Sequence, residues 1–313
     1  MLKDDTMDGT VADRVAIPSP PPAATATATA TATAPKGAHA LRVTDVEHYT
    51  DRLFRLRVGR PSGFRFRAGE FVMIALPPED GERPVWRAYS IASPAWADTI
   101  EFLSIAVPGG PLTSRLVRVK SGDTLWMRSK STGTLVADAL EPGGRLWMLA
   151  TGTGLAPFAS VARAPETWER FRSGVIVHTV RENAELTYGR DMMRAIEGGA
   201  SEEDAMLAEV IDGRLALVPT VTREAPMAGA MAGRVTDLAR SGALHERLGI
   251  ARDAERRGVP FGGQPFDPAI DRVMVCGSTA MLAETRALCE ASGLVEGSNA
   301  RPGTFVVEKA FVG

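Results

Sequence analysis

The run Leu146-Trp147-Met148-Leu149-Ala150-Thr151-Gly152-Thr153-Gly154-Leu155-Ala156-Pro157 decides how the second half of the chain is read. An apolar strand runs into a glycine turn, and the proline that follows suits the N-terminus of a helix. The arrangement resembles a dinucleotide-binding turn. Its pattern is G-x-G-x-x-P, without the third glycine of G-x-G-x-x-G, so these residues alone also allow a plain tight strand-to-helix connection.

Working outward from that turn, the chain changes style near Pro142. Beyond it, the apolar runs RLWMLAT (145–151), GVIVHTV (174–180), LALVPTV (215–221) and RVMVCGS (272–278) alternate with helix-compatible segments at 158–171, 188–196 and 281–292. That alternation predicts an α/β doubly wound parallel sheet. Before it stand short β-type runs: LRVTDVEHYT, LFRLRVG, FVMIALP, AYSIAS, IEFLSIAV and DTLWMRS, separated by Gly, Pro and Asp, which predict a small antiparallel β-barrel. No fixed-period repeat is visible. The first residues carry Pro18, Pro20, Pro21 and Pro22 and then an alternating Ala/Thr tract, with almost nothing large and apolar to bury. They read as a disordered low-complexity tail over 1–37, followed by a barrel domain over 38–143 and an α/β domain over 144–313.

The chain of 313 residues has 44% hydrophobic and 24% charged residues, the balance of a globular protein with a sizeable core. A formal net charge of -2 announces neither nucleic acid nor an anionic membrane as partner. Two cysteines, Cys276 and Cys289, are too few for a disulfide framework or a four-cysteine iron-sulfur cluster, so redox chemistry would need an organic cofactor and no metal site is expected. No apolar stretch long enough to span a membrane and no secretory leader are seen, and a cytoplasmic location is expected.

Several segments carry candidate chemistry. In Arg87-Ala88-Tyr89-Ser90, alternation puts Arg87 and Tyr89 on one face of a strand and turns Ser90 away. A ring, a cation and a hydroxyl would suit a flavin, with Tyr89 stacking, Arg87 at a pyrophosphate and Ser90 near the reactive nitrogen. A half-buried strand with a surface arginine explains the tetrapeptide as well. Gly110-Pro111-Leu112-Thr113-Ser114 reads as a helix start whose free N–H groups favour a phosphate, or as an ordinary capped helix. The strand 175–180 ends on Arg181, where a nicotinamide site often carries an acidic residue for the ribose, and an arginine there favours a 2′-phosphate, although Glu182 follows. Arg223 and Arg234 supply further cations after the next strand, each equally readable as solvated surface charge. Cys276-Gly277 closes a strand, with the cysteine also explained as a small buried hydrophobe. The last run carries Glu308 and could be an edge strand.

Taken together, RAYSIASP (87–94), GPLTSRL (110–116), ATGTGLAPF (150–158), CGS (276–278) and VVEKAFVG (306–313) resemble, in order and spacing, the bacterial ferredoxin-NADP reductases from about residue 40 to 313. The resemblance implies an FAD-binding antiparallel β-barrel followed by an NADP-binding α/β domain whose C-terminal segment returns to the flavin. It implies electron transfer between NADPH and ferredoxin or flavodoxin, with hydride passing at flavin N5 and electrons leaving singly. By matching motif positions, Arg87, Ala88, Tyr89 and Ser90 hold FAD with Phe102, Leu103 and Ser104 alongside and Pro111, Leu112, Thr113 and Ser114 at its pyrophosphate. Thr153 also approaches FAD. Thr151, Gly152, Thr153 and Gly154 lie by the NADP turn, Arg181, Arg223 and Arg234 grip the 2′-phosphate and adenosine, and Cys276 and Gly277 approach the nicotinamide. Ser90, Cys276, Glu308 and Ala310 are the positioning groups of the reaction. Ala310 stands where the plant-type branch has a flavin-covering tyrosine, with Phe311 after it, as in a bacterial subgroup with a C-terminal extension. A monomer is expected. The competing readings are an oxygenase reductase component or a free flavin or ferric reductase on the same scaffold, and a redox sensor that binds FAD without turnover.

Overall fold

The computed structural model describes residues 33–79, 82–199, 201–250 and 264–310. The tail expected over 1–37 lies outside the described residues as far as residue 32, while the carbonyls of Lys36 and Gly37 already accept hydrogen bonds from Arg128 and Ser129 of the barrel.

Six antiparallel strands, β1 (Ala38–His48), β2 (Leu53–Gly59), β3 (Phe71–Ala75), β4 (Arg87–Ser90), β5 (Thr99–Ile105) and β6 (Thr124–Thr132), form a sheet in the order β4-β3-β6-β1-β2-β5. Period-2 alternation drives the curl: Phe54, Leu56 and Val58 of β2 are buried in one core while Arg55 and Arg57 between them stay partly exposed. The two ends of the sheet meet where Ala92 N–H donates to the Glu101 carbonyl at 2.8 Å and Tyr89 Oη lies 3.0 Å from Ser104 Oγ. A single helical turn, α1 (Thr113–Leu116), follows β5.

The second sheet is parallel, with β7 (Gly143–Thr151), β8 (Phe171–Val180), β9 (Leu215–Val221), β10 (Met231–Ala232), β11 (Asp271–Gly277) and β12 (Phe305–Lys309) in the order β10-β9-β8-β7-β11-β12. Both faces are covered, as parallel sheets require. Met148, Ile176 and Met274 pack on one side with α2 (Leu155–Ala162), α3 (Pro165–Arg170), α4 (Thr187–Gly198) and α5 (Glu202–Ile211), a core that also takes in Leu53, Leu103 and Leu135 of the barrel. Trp147, Leu149, Val175 and Val275 pack on the other with α6 (Val235–Arg240), α7 (Ala243–Arg247) and α8 (Thr279–Ala291). No helix among the described residues is long and apolar enough to cross a membrane.

The helix expected over 158–171 is two helices and the start of a strand. Pro165 has no N–H to continue α2 and pushes Ala164 into an extended conformation (φ -94°, ψ 119°), and Phe171 opens β8. Between the halves, Glu101 of β5 is only 3% exposed and is gripped from both sides. Arg57 Nε of the barrel lies 2.7 Å away, and the Tyr188 hydroxyl of α4 donates at 2.6 Å. The guanidinium of Arg163, at the C-terminal end of α2, stands 3.6 Å off and donates to the Ala92 carbonyl at 2.6 Å. Burial alone would raise the Glu101 carboxyl; the arginines and the tyrosine outweigh it and hold the group below its usual range.

Candidate functional site

From β7 the chain winds through β8, β9 and β10 to one side, then crosses to β11 and β12 on the other, so the sheet switches direction between β7 and β11. Ligands of open α/β sheets bind outside the carboxyl ends of the strands at such a point. A cleft of about 690 Å³ lies there, and Thr151, Gly152, Thr153, Arg181, Arg223, Arg234 and Ala310, all expected site residues, line it together.

Backbone hydrogen bonds that run past the strand ends put the three arginines in a row. Thr222 N–H donates to Val180, Arg223 N–H to the Arg181 carbonyl at 3.0 Å, and Gly233 N–H to Val221 at 2.9 Å, which delivers Arg234 at the mouth of α6. The Glu185 carboxylate accepts the N–H groups of Arg181 (2.8 Å) and Glu182 (3.2 Å), closing a capping box that holds this turn while the Arg181 side chain stays exposed. The following loop is tied down by Asn183, whose Nδ2 donates to Ala225 and whose Oδ1 accepts Met227 N–H, both at 2.9 Å. Among the described residues no carboxylate stands within ion-pair distance of Arg181, Arg223 or Arg234. Three clustered cations with no carboxylate paired to them among the described residues fit a phosphate group.

The glycine turn is shaped by two different constraints. Gly154 presses on β11 so closely that a Cβ there would lie 2.3 Å from the Cys276 carbonyl oxygen. Gly152 has φ +55° and nothing within 4 Å of a would-be Cβ, which leaves its backbone open to the cleft. Its carbonyl accepts from His178 Nε2 at 2.9 Å. A carbonyl can only accept, so Nε2 carries the proton, and burial pushes the imidazole down to about 4, keeping it neutral. Thr151 Oγ1 accepts Ser278 N–H at 3.0 Å, joining the turn to the end of β11.

On the barrel side, Arg87 and Ser90 are partly exposed, whereas Ala88 and Tyr89 are buried, the tyrosine ring edge-on to Phe102 at 6.1 Å. Phe102 is fully buried in the barrel core and Leu103 in the core between the halves, so both side chains are occupied and only backbone is left to offer. Pro111 and Ser114 are exposed, while Leu112 fills the core and Thr113 Oγ1 accepts Val107 N–H at 3.2 Å. The Cys276 thiol is 1% exposed and pushed up by burial, a protonated core group. Its register partner on β12 is Glu308, whose Oε2 accepts Thr134 N–H at 2.9 Å while Oε1 is buried with no partner among the described residues. Burial raises this carboxyl to about 6. Ala310 is held by its N–H to the Gly277 carbonyl at 3.0 Å, and Phe311 lies outside the described residues.

Sequence reasoning missed groups outside the motifs that support the cleft: His178, Glu185, the Thr179–Thr220 hydroxyl pair at 2.7 Å, and Arg52 of the barrel. Only Glu185 left a local signal, through its spacing from Glu182.

The family model of the oxidoreductase FAD-binding domain matches residues 41–135. The flavodoxin/ferredoxin-NADP reductase of Rhodobacter capsulatus is 50% identical over 274 residues, covering 88% of this chain and 93% of that protein. The ferredoxin-NADP reductase of Pseudomonas aeruginosa is 43% identical, covering 87% and 96%. Among solved structures, a ferredoxin NADP+ reductase from Neisseria gonorrhoeae with bound FAD and NADP superposes with a TM-score of 0.73 at 25% identity, over 88% of this chain and 99% of that one.

Proposed function

Because the chain belongs to the ferredoxin-NADP reductase family, we propose that its cleft takes NADPH through Arg181, Arg223 and Arg234 and passes the electrons by way of FAD to a ferredoxin or flavodoxin. It is a flavoprotein oxidoreductase. FAD, when bound, accepts the hydride and releases electrons one at a time. The observation that carries the nucleotide assignment is the row of three arginines, none paired with a carboxylate among the described residues, at the carboxyl ends of β8, β9 and the α6 mouth.

In this reading the barrel (38–143) is the FAD domain and the α/β half (144–313) the NADP domain. The partly exposed Arg87 and Ser90, with Tyr89, hold the flavin; Phe102, Leu103 and Ser104 contribute backbone beside it, and residues 111–114 meet the pyrophosphate. The open backbone at Gly152 admits the dinucleotide, and His178 keeps that turn in place. Cys276, Gly277 and Ala310 form the wall against which the nicotinamide lies, and Glu308 positions β12 through Thr134. No general acid or base is needed, since the residues orient groups that react with each other. Two buried free thiols support a reducing, cytoplasmic setting, and we propose a monomer.

The test is cofactor preference. Two charge-assisted contacts to the 2′-phosphate, each contributing roughly 1.5–3 kcal/mol, give about a hundredfold or more in favour of NADPH over NADH. Arg223→Ala should raise KM for NADPH far more than for NADH, and equal losses for both would take Arg223 out of the 2′-phosphate site.

A further inference from the structure

The cleft has a second source of positive charge. Arg52 comes from the turn between β1 and β2 in the barrel and lines the same cleft as the nucleotide turn, beside Ile105 and Val107. The turn is rigid. Thr50 Oγ1 accepts the N–H groups of Arg52 (3.2 Å) and Leu53 (2.8 Å), Tyr49 N–H donates to Leu53, and Ala106 N–H donates to the Arg52 carbonyl at 2.8 Å. The guanidinium is aimed as well, because its Nε donates to the Ala106 carbonyl at 3.2 Å. Among the described residues both terminal nitrogens are left without a hydrogen-bond partner and no carboxylate pairs with this exposed side chain.

Its place differs from that of the three arginines. Leu53 pairs with Ile105 of β5, and β5 lies against the glycine turn 152–154 that follows β7. Arg223 sits at the end of β9, two strands away from β7, which is about 10 Å at the usual strand spacing. Arg52 and Arg223 therefore enter the cleft from different backbone positions. A dinucleotide carries a second anionic group, the pyrophosphate, and the glycine turn is where a pyrophosphate approaches a sheet of this kind.

We propose that Arg52 is a fourth nucleotide-binding cation, contributed by the barrel, which takes the pyrophosphate of the dinucleotide at the glycine turn. The inference rests on the assignment of the cleft to NADPH. It makes the nucleotide a bridge between the halves, gripped at the 2′-phosphate by the parallel sheet and at the pyrophosphate by the barrel.

Calorimetric titration of the FAD-loaded protein with NADP+, NAD+ and adenosine 2′-monophosphate separates the possibilities, since the last ligand has the 2′-phosphate but no pyrophosphate. Arg52→Ala should weaken NADP+ and NAD+ by the same factor, about tenfold for one charge-assisted contact, and leave adenosine 2′-monophosphate within twofold of wild type. Arg52→Lys should recover part of the loss, and flavin absorbance reports that FAD is retained. Arg223→Ala should show the converse pattern, weakening NADP+ and adenosine 2′-monophosphate but not NAD+. If Arg52→Ala binds NADP+ normally while Arg223→Ala does not, Arg52 is overturned and the cleft assignment stands. Equal weakening of NADP+ and adenosine 2′-monophosphate by Arg52→Ala also overturns it. If neither variant changes NADP+ binding, the cleft assignment falls and Arg52 falls with it.

Discussion

Replacing Glu101 by glutamine tests what holds the two halves together. The carboxylate is 3% exposed and meets Arg57 at 2.7 Å, the Tyr188 hydroxyl at 2.6 Å and Arg163 at 3.6 Å. Glutamine keeps the shape and removes the charge. Arg57, with a side chain 38% exposed, recovers water and loses little. Arg163, 16% exposed, keeps its bonds to Ala92 and Ala159 but loses its counter-charge. Breaking a buried pair costs about 3–5 kcal/mol, and the accessible partner brings the expectation to about 3 kcal/mol. In urea denaturation of the FAD-loaded protein, Glu101→Gln should lower the unfolding free energy by about that amount. Tyr188→Phe should cost about 1.5–3 kcal/mol in wild type and under about 1 kcal/mol in the Glu101→Gln background, because the charged acceptor is already gone. The pH dependence has a definite sign. The folded carboxyl is held below its unfolded value of about 4.3, so its contribution is complete above that value and is lost as pH falls through the folded one. Glu101→Gln should flatten the acid limb of the stability profile. A loss below about 0.5 kcal/mol, or additive costs for the two substitutions, would refute the reasoning.

Three further outcomes follow from the site. Ala310→Tyr should slow flavin reduction by NADPH about two- to tenfold in rapid mixing with FAD retained, since a stacked ring adds roughly 0.5–1.5 kcal/mol that the nicotinamide must displace, and an unchanged rate would take residue 310 off the flavin face. Gly154→Ala, whose methyl would meet the Cys276 carbonyl at 2.3 Å, should destabilise by about 3 kcal/mol or more, against about 1–2 kcal/mol for Gly152→Ala, where only the left-handed φ opposes the change; thermal melts rank the two, and the reverse order would contradict the packing. Glu308, raised to about 6, contributes roughly 2 kcal/mol that is complete below its unfolded value near 4.3 and lost as pH rises through 6, so Glu308→Gln should remove the dependence in that window, as urea titrations at pH 4.5 and 7 would register.

The architecture was legible because both halves obey simple periods. Alternation in β2, with Phe54, Leu56 and Val58 inward, and continuous apolar runs in β7, β8 and β11 separate an antiparallel sheet from a parallel one without further information. Even Pro219 inside LALVPTV did not mislead: β10 joins β9 only at Thr220 and Val221, so the proline falls where β9 is still an edge. What failed was local competition. The apolar residues around 158–171 suit one helix, and the break at Ala164-Pro165 is a steric effect that periodicity does not register. The helix α5 leaves little periodic trace because its apolar stripe is thin, with only Leu207 and Ile211 buried; its one local signal is the cap, Ser201 followed by Glu202, Glu203 and Asp204.

The site divides along the same line. Groups set by local sequence, the glycine turn and the residues next to strand ends, could be named in advance, since a parallel strand delivers whatever follows it to the carboxyl edge of the sheet. Arg181, Arg223 and Arg234 were individually no different from surface charges. They come together on one cleft because three hydrogen bonds beyond the strand ends, from Thr222, Arg223 and Gly233, carry the register of the sheet into the loops. Arg52 and Glu101 have no such signature. Each depends on how the barrel lies against the parallel sheet, Arg52 through the contact of β5 with the glycine turn and Glu101 through Arg163 and Tyr188. Residues whose role is created by the packing of two halves are bland in either half alone, so a variant at either position reports on the junction and not on the motif beside it.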